Sequence, residues 1–225
     1  ELPKTAQPSI GRFVEVYDEL GKNGDSVISI QMMRSISGTV DAARQAADIT
    51  ETNVTVLDSD FTSRSMGMIV KEAAKAAQEG KSVQEILEIV EDAKKRTTLY
   101  LTVVNLDNLI KGGRISQLMG MFSNLLNIKL FLQVINGKIE IIQKGRGLKS
   151  LQKKYDEIFE QMKSAPNGIQ EIGIMHAGLS DFNQGNIARI RELFPDVPLT
   201  IVTTSPIIMS HTGVDAMAIT YLENK

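Results

Sequence analysis

Val27-Ile28-Ser29-Ile30-Gln31-Met32, followed shortly by Ser37-Gly38-Thr39, is the stretch that decides the fold. The apolar, β-branched run reads as a strand, and the Ser-Gly-Thr turn opens a helix running to about Asp48. The same grammar then repeats. Residues 52–57 read as a second strand that ends at Asp58-Ser59, and residues 65–80 and 82–95 read as helices. Upstream, residues 9–20 place Phe13, Val16, Tyr17 and Leu20 on one helical face, with Pro8 and Ser9 marking the start and Gly21 the end. Strand, loop and helix in alternation predict an α/β sheet whose ligands sit beyond the strand C-termini.

The second half changes character. Residues 98–104 read as a strand, 106–110 as a short helix closed by Gly112-Gly113, and 116–125 as a helix. Residues 128–135 and 138–143 flank Asn136-Gly137, a strong two-residue hairpin signal. A long amphipathic helix (148–163), a strand (170–176), a helix (184–194) and a strand (199–204) follow, and 211–223 reads as helical or partly so. A hairpin among βα units gives this half α+β character. The boundary is placed near residue 95, which makes 1–95 an N-terminal α/β lobe and 96–225 a C-terminal α+β lobe.

Composition narrows the function. The 225 residues are 42% hydrophobic and 23% charged, with 25 Lys plus Arg against 27 Asp plus Glu. A net charge of −2 gives no support for a broad nucleic-acid footprint. With no cysteine, disulfides, thiolate nucleophiles and Cys-ligated metals are excluded. No apolar run reaches membrane-spanning length and no signal peptide is visible, so the expected location is cytoplasmic, without stable membrane insertion. A chain opening on Glu1-Leu2-Pro3 rather than Met reads as processed or truncated.

Several groups carry possible chemistry. Asp58-Ser59-Asp60 suits either a strand-end turn or a divalent cation. The hydroxyls and amides of Ser37-Gly38-Thr39 suit an anion or an ordinary helix cap. Thr5 and Ser9, in Thr5-Ala6-Gln7-Pro8-Ser9, have the same two readings. Ser210 and His211 are adjacent, but no Gly-x-Ser-x-Gly elbow supports a hydrolytic triad. His211 is instead a potential donor to a carboxylate, whereas His176 reads as structural. Asp107, Lys111 and Arg114 read as catalytic charges or as a solvated helix end, with Gly112-Gly113 permitting a turn that aims Arg114. Lys144, Arg146, Lys149, Lys153 and Lys154 form a basic cluster that suits an acidic protein surface, a phosphate or an ordinary solvated helix face. No dinucleotide fingerprint or phosphate loop is present.

The order of these motifs resembles the DegV family of bacterial lipid-binding proteins, the fatty-acid-binding components of fatty-acid kinase systems. The matching blocks are Thr5-Ala6-Gln7-Pro8-Ser9, Ser37-Gly38-Thr39, Leu106-Asp107-Asn108-Leu109-Ile110-Lys111-Gly112-Gly113-Arg114-Ile115-Ser116, Leu125-Leu126-Asn127-Ile128-Lys129 and His211-Thr212-Gly213, spread over essentially the whole chain. The resemblance implies a two-lobed DegV-like α/β fold, with a mainly parallel N-terminal sheet and a mixed α+β C-terminal lobe. It implies one long-chain fatty acid held between the lobes and presented to a separate ATP-dependent kinase subunit that makes acyl phosphate. Phospholipid metabolism is the implied setting. No catalytic residue, metal or cofactor is expected in this chain.

The carboxylate site implied by the resemblance comprises Thr5, Ser9, Arg34, Ser37, Gly38, Thr39 and His211. Partner docking is assigned to Lys144, Arg146, Lys149 and Lys153. Met66, Met68, Met119, Met121 and Phe122 are expected either to line the tail or to pack in the core. Three departures stand out. The family's first strand, with its Asp-Ser motif, is expected to be missing here. Met33-Arg34 stand where a Ser-Ser pair is usual, and Ile36 takes the usual Leu place, so Arg34 either replaces a hydroxyl donor or points outward. His211-Thr212-Gly213-Val214-Asp215 keeps the histidine of a His-x-Gly-Pro-Gly turn but not its Pro-Gly. A small-molecule or lipid hydrolase, and a regulatory protein-interaction module, are the alternative readings.

Overall fold

The computed structural model describes residues 2–114 and 127–225. The chain divides into two compact units, one built from Lys4–Lys95 with the hairpin tip Asn136–Lys138, the other from Arg96–Ile135 and Ile139–Lys225. Helix 116–125 of the sequence reading, with Met119, Met121 and Phe122, lies outside the described residues.

In the first unit, α1 (Ile10–Gly21) is capped by Ser9, whose Oγ accepts from Arg12 N at 3.3 Å. Then come β1 (Val27–Gln31), α2 (Thr39–Ala47), β2 (Val54–Asp58), α3 (Ser63–Gln78) and α4 (Val83–Arg96). β1 and β2 pair in parallel, Val27 opposite Val54 through Gln31 opposite Asp58. Small residues let α2 and α3 approach the sheet closely: Ala43 and Ala46 of α2 and Ala76 of α3 are buried with Val40, Met68 and Ile69. α1 is tied to β1 by a buried bond of 2.7 Å between Tyr17 Oη and Ser29 Oγ.

The second unit contains β3 (Thr97–Val103), α5 (Asp107–Gly112), β4 (Ile128–Ile135), β5 (Lys138–Arg146), α6 (Leu148–Lys163), β6 (Ile169–His176), α7 (Asp181–Leu193), β7 (Leu199–Thr203), α8 (Pro206–Thr212) and β8 (Met217–Glu223). Its six strands are ordered β5-β4-β3-β8-β6-β7. The β6–β7 pair is parallel, while β3–β4, β3–β8 and β6–β8 are antiparallel, so the sheet is mixed. The turn between β4 and β5 has φ of 50° at Asn136 and 69° at Gly137, the left-handed pair that an Asn-Gly hairpin requires.

Residues 211–223 differ from the sequence reading. The helix there ends at Thr212, with Gly213 at φ 78° beyond it, and Met217–Glu223 is a central strand. Met217-Ala218-Ile219-Thr220-Tyr221-Leu222 is buried throughout because β8 is covered on both faces and paired on both edges. A fully buried strand shows no alternation, so periodicity does not separate it from a buried helix.

Ile172, Ile174, Ile187, Ile190, Ile219 and Tyr221 share one core with an aromatic chain. In that chain Phe131 lies 5.0 Å from Tyr155, and Tyr155 lies 5.7 Å from Phe182, both edge-on. Burial pushes the Tyr155 phenol well up, so it stays neutral, and its Oη pairs with Thr102 Oγ1 at 2.6 Å. Tyr155→Phe leaves the Thr102 hydroxyl without this partner and should cost about 1–2 kcal/mol. Urea unfolding is the check: a lower midpoint at unchanged slope is expected, and an unchanged midpoint would mean the bond contributes nothing net.

Candidate functional site

The Ser37–Thr39 turn leads from the C-terminal side of β1 into α2. Ser37 Oγ and Thr39 Oγ1 are 2.7 Å apart, and Ser37 Oγ also accepts from Thr39 N at 3.3 Å. Gly38 has an ordinary φ of −75°. The Gln7 side chain packs closely over it: a Cβ there would lie 3.0 Å from Gln7 Nε2. The Thr5–Ser9 segment therefore crosses the N-terminus of α2, joining two motifs that sequence separates. Between them lies a cavity of about 650 Å³ lined by Ala6–Ile10, Gly38, Asp41, Ala42 and Gln45. Thr5 is half-buried, whereas Ser9 is exposed and serves as the α1 cap.

Arg34 and Met33 part company. Met33 is fully buried. The Arg34 guanidinium is mostly exposed, and its Nε donates to Asp41 Oδ2 at 2.9 Å. Arg44 approaches the other Asp41 oxygen at 3.7 Å. Asp41 is in the cavity wall, so these two cations offset a negative charge that would oppose any bound anion.

Asp58-Ser59-Asp60 folds as a turn that satisfies its own backbone. Asp58 accepts from Asp60 N at 2.9 Å and from Arg34 N at 3.1 Å, and buried Ser59 bonds both N and O of Phe61. Asp60 instead pairs with Lys94 at 2.7 Å, and Lys94 also reaches Glu91 at 3.0 Å. Burial opposes the Lys94 charge, but the two carboxylates outweigh it and raise its pKa. Among the described residues no group of three or more His, Asp or Glu side chains suits a metal ion.

A second cavity, of about 850 Å³, runs along α1, β1, α3 and α4. Phe13, Val16, Leu20, Val27, Val70 and Ile86 make it apolar, and Pro8 belongs to the walls of both cavities. Its walls also carry the charged Arg12, Asp25 and Lys81 and a bonded polar group of Tyr17, Ser29 and Gln31, with Gln31 Nε2 donating to Ser29 Oγ at 2.8 Å. Burial raises the Tyr17 pKa, and the Ser29 bond only partly offsets this. Met68 is in the core and Met66 is half-buried, and neither is among the groove residues.

In the second unit, α8 begins with Ser205 as cap and Pro206 in the first turn, and it carries His211 in its last turn. α5 braces it: Asn108 Nδ2 donates to the carbonyls of Met209 (3.4 Å) and Ser210 (3.2 Å). Arg114 Nη1 donates to Gly112 O at 2.7 Å. Burial first, and the Arg114 charge second, hold the His211 pKa below its ordinary value. Ser210 donates its hydroxyl to Ile207 O at 2.7 Å, a local helix bond rather than a nucleophile–base pair. His176 is buried at the end of β6. Lys144 and Arg146 on β5, and Lys149 and Lys153 on α6, are all exposed, whereas Lys154 pairs with Glu157 at 2.9 Å.

Gln7, Asp41, Asn108 and Gly112 were not singled out from sequence as site residues. Their motifs were visible, but their partners lie on other elements.

The family profile described as "Uncharacterised protein, DegV family" matches residues 1–224. The chain belongs to the DegV family. A DegV domain-containing protein of Streptococcus pneumoniae is 41% identical over 218 residues, covering 97% of this chain and 77% of that protein. The fold matches DegV, a fatty acid binding protein from Bacillus subtilis, with TM-score 0.87 at 29% identity, covering 100% of this chain and 80% of that one. It also matches the Streptococcus pneumoniae fatty acid kinase (Fak) B3 protein loaded with linoleic acid, with TM-score 0.81 at 27% identity, covering 100% and 79%. Among the described residues of this DegV protein, no helix is long and apolar enough to cross a membrane.

The environment of His211 has a pH signature. An imidazole in the unfolded chain titrates near about 6.5, and in the folded chain it titrates lower. Above that value both states hold a neutral ring and the linkage is silent. As pH falls through it, the unfolded state takes up the proton first, so stability is lost on acidification. His211→Gln should flatten the stability curve between about pH 7 and about 5, measured by urea unfolding. Superimposable curves would show that the ring is not held neutral.

Proposed function

We propose that this DegV protein is a non-catalytic carrier that binds a long-chain fatty acid and presents its carboxylate to a partner kinase. The observation that carries the reading is the adjacency, in one unit, of a hydroxyl-bearing helix N-terminus and an apolar groove, with Pro8 in the walls of both cavities. Those are the two surfaces a fatty acid needs. Each methylene withdrawn from water contributes about 0.8 kcal/mol. The carboxylate, in contrast, enters only where hydrogen bonds replace its water. The tail therefore supplies affinity and the head sets orientation.

In this reading Ser37, Thr39 and Thr5 donate hydroxyl bonds to the head, with Gly38 keeping the backbone accessible. Ser9 acts through the α1 cap, and Arg34 through neutralising Asp41. His211 takes the donor role that the family resemblance assigns it. A relative crystallised with linoleic acid, and others described as fatty acid binding, support the ligand class. The name of the fatty acid kinase B3 relative supports a kinase partner. Lys144, Arg146, Lys149 and Lys153 are the exposed cations assigned to docking it. The partner transfers phosphate from ATP, so this chain needs no nucleotide site or cofactor of its own.

Native mass spectrometry with saturated and unsaturated acids of increasing length should give a one-to-one adduct that tightens with chain length. Ser37→Ala with Thr39→Val should weaken it by about a hundredfold, about tenfold for each hydrogen bond lost to a charged group. Lys149→Glu with Lys153→Glu should keep the adduct but reduce acyl phosphate formed with the kinase and ATP. No retained acid at any length would overturn the reading.

A further inference from the structure

The two glycines of Gly112-Gly113 have different physical jobs. Gly113 closes α5 with φ 70°, a left-handed conformation that a side chain resists. Gly112 has no left-handed φ and is the last residue of α5, where its backbone does not call for glycine. A Cβ on Gly112, however, would lie 2.4 Å from His211 Nδ1, with ring carbons at 3.3 and 3.4 Å. No real Cβ tolerates that approach, and the ring atom it meets belongs to a side chain set by the last turn of α8.

We propose that Gly112 is the positioning residue for His211: the volume its missing Cβ leaves open on α5 is the seat of the imidazole. This rests on the reading of His211 as a carboxylate donor and says what holds that donor in place. Three further contacts point the same way. Asn108, one helical turn before Gly112, grips the carbonyls of Met209 and Ser210, fixing the spacing of α5 and α8 on which the seat depends. Beyond the helix, the backbone of Gly213 packs against Asn105 O and Asn108 Cβ, both 3.5 Å from where its own Cβ would be. Arg114, two residues past Gly112, is anchored to the Gly112 carbonyl and places its charge where it acts on the seated ring. A ring expelled from the seat would leave both its burial and that charge.

The chain has only two histidines, so ¹⁵N-histidine labelling gives a spectrum in which His211 is assigned by substitution and His176 is the internal reference. In Gly112→Ala the His211 ring resonances should shift, its contact with the residue 112 Hα should vanish, and its titration should move up towards the ordinary histidine range. Oleate affinity, measured by isothermal calorimetry, should fall by about tenfold, as for loss of one hydrogen bond to a charged group. In a His211→Ala background the same Gly112→Ala change should alter affinity by less than about twofold, because nothing is left to expel.

Unmoved His211 resonances in folded Gly112→Ala would overturn the proposal, and so would an equal affinity loss in both backgrounds. Should Gly112→Ala alone not fold, Gly112→Ala with His211→Ala must fold, since the clash is gone. Failure of both overturns the proposal as well. If the parent protein binds no oleate, the carrier reading fails, while the ring spectra still decide whether Gly112 seats His211.

Discussion

β8 is hydrogen-bonded along both edges, to β3 from Thr97 to Thr102 and to β6 from Ile169 to His176. The rest of the second unit hangs from that double pairing. β3 feeds α5, which carries Asn108 and Gly112. β7, paired to β6, feeds α8, which carries His211. The register of one buried strand thus sets the distance between two short helices, neither long enough to be stable alone. Asn108 and the Gly112 seat make the final adjustment.

The first unit solves a different problem, placing hydroxyls at the start of α2 without exposing an apolar interior. Ser37 and Thr39 bond one another, so neither hydroxyl is stranded. Asp58 and Ser59 settle the neighbouring backbone groups. Of the two readings of Asp58-Ser59-Asp60 in the sequence, a strand-end turn or a cation site, the structure has the turn.

Local signals were legible in the sequence, and long-range ones were not. Asn136-Gly137 announced its hairpin because few residue pairs accept two positive φ values, and Ser9 announced α1 because its cap is made three residues away. β8 was misread because burial on both faces erases the alternation that identifies a strand. The motif order singled out Arg34, Ser37, Gly38 and Thr39, but not what each of them meets. Arg34 finds Asp41 across a loop, and Gly38 meets Gln7 from the far side of α1 and β1. In Gly112-Gly113 the letters are identical, yet one residue is selected by backbone dihedral and the other by a ring on a different helix. Only three-dimensional placement separates those two reasons.

The Arg34–Asp41–Arg44 cluster has a salt-dependent consequence. Asp41 is met by Arg34 and Arg44, and the Asp58 carboxylate lies against the Arg34 backbone, so two cations beside the α2 cavity are matched by two carboxylates. The Arg34 and Arg44 side chains are exposed, and fields from exposed charges decay over about 8 Å at physiological ionic strength and reach further in dilute buffer. Added salt therefore weakens the hold of both arginines on Asp41, and with it the masking of a negative charge in the cavity wall. In the proposed carrier, ionic strength would act on the head end of the ligand, while chain length would act on its hold in the apolar groove.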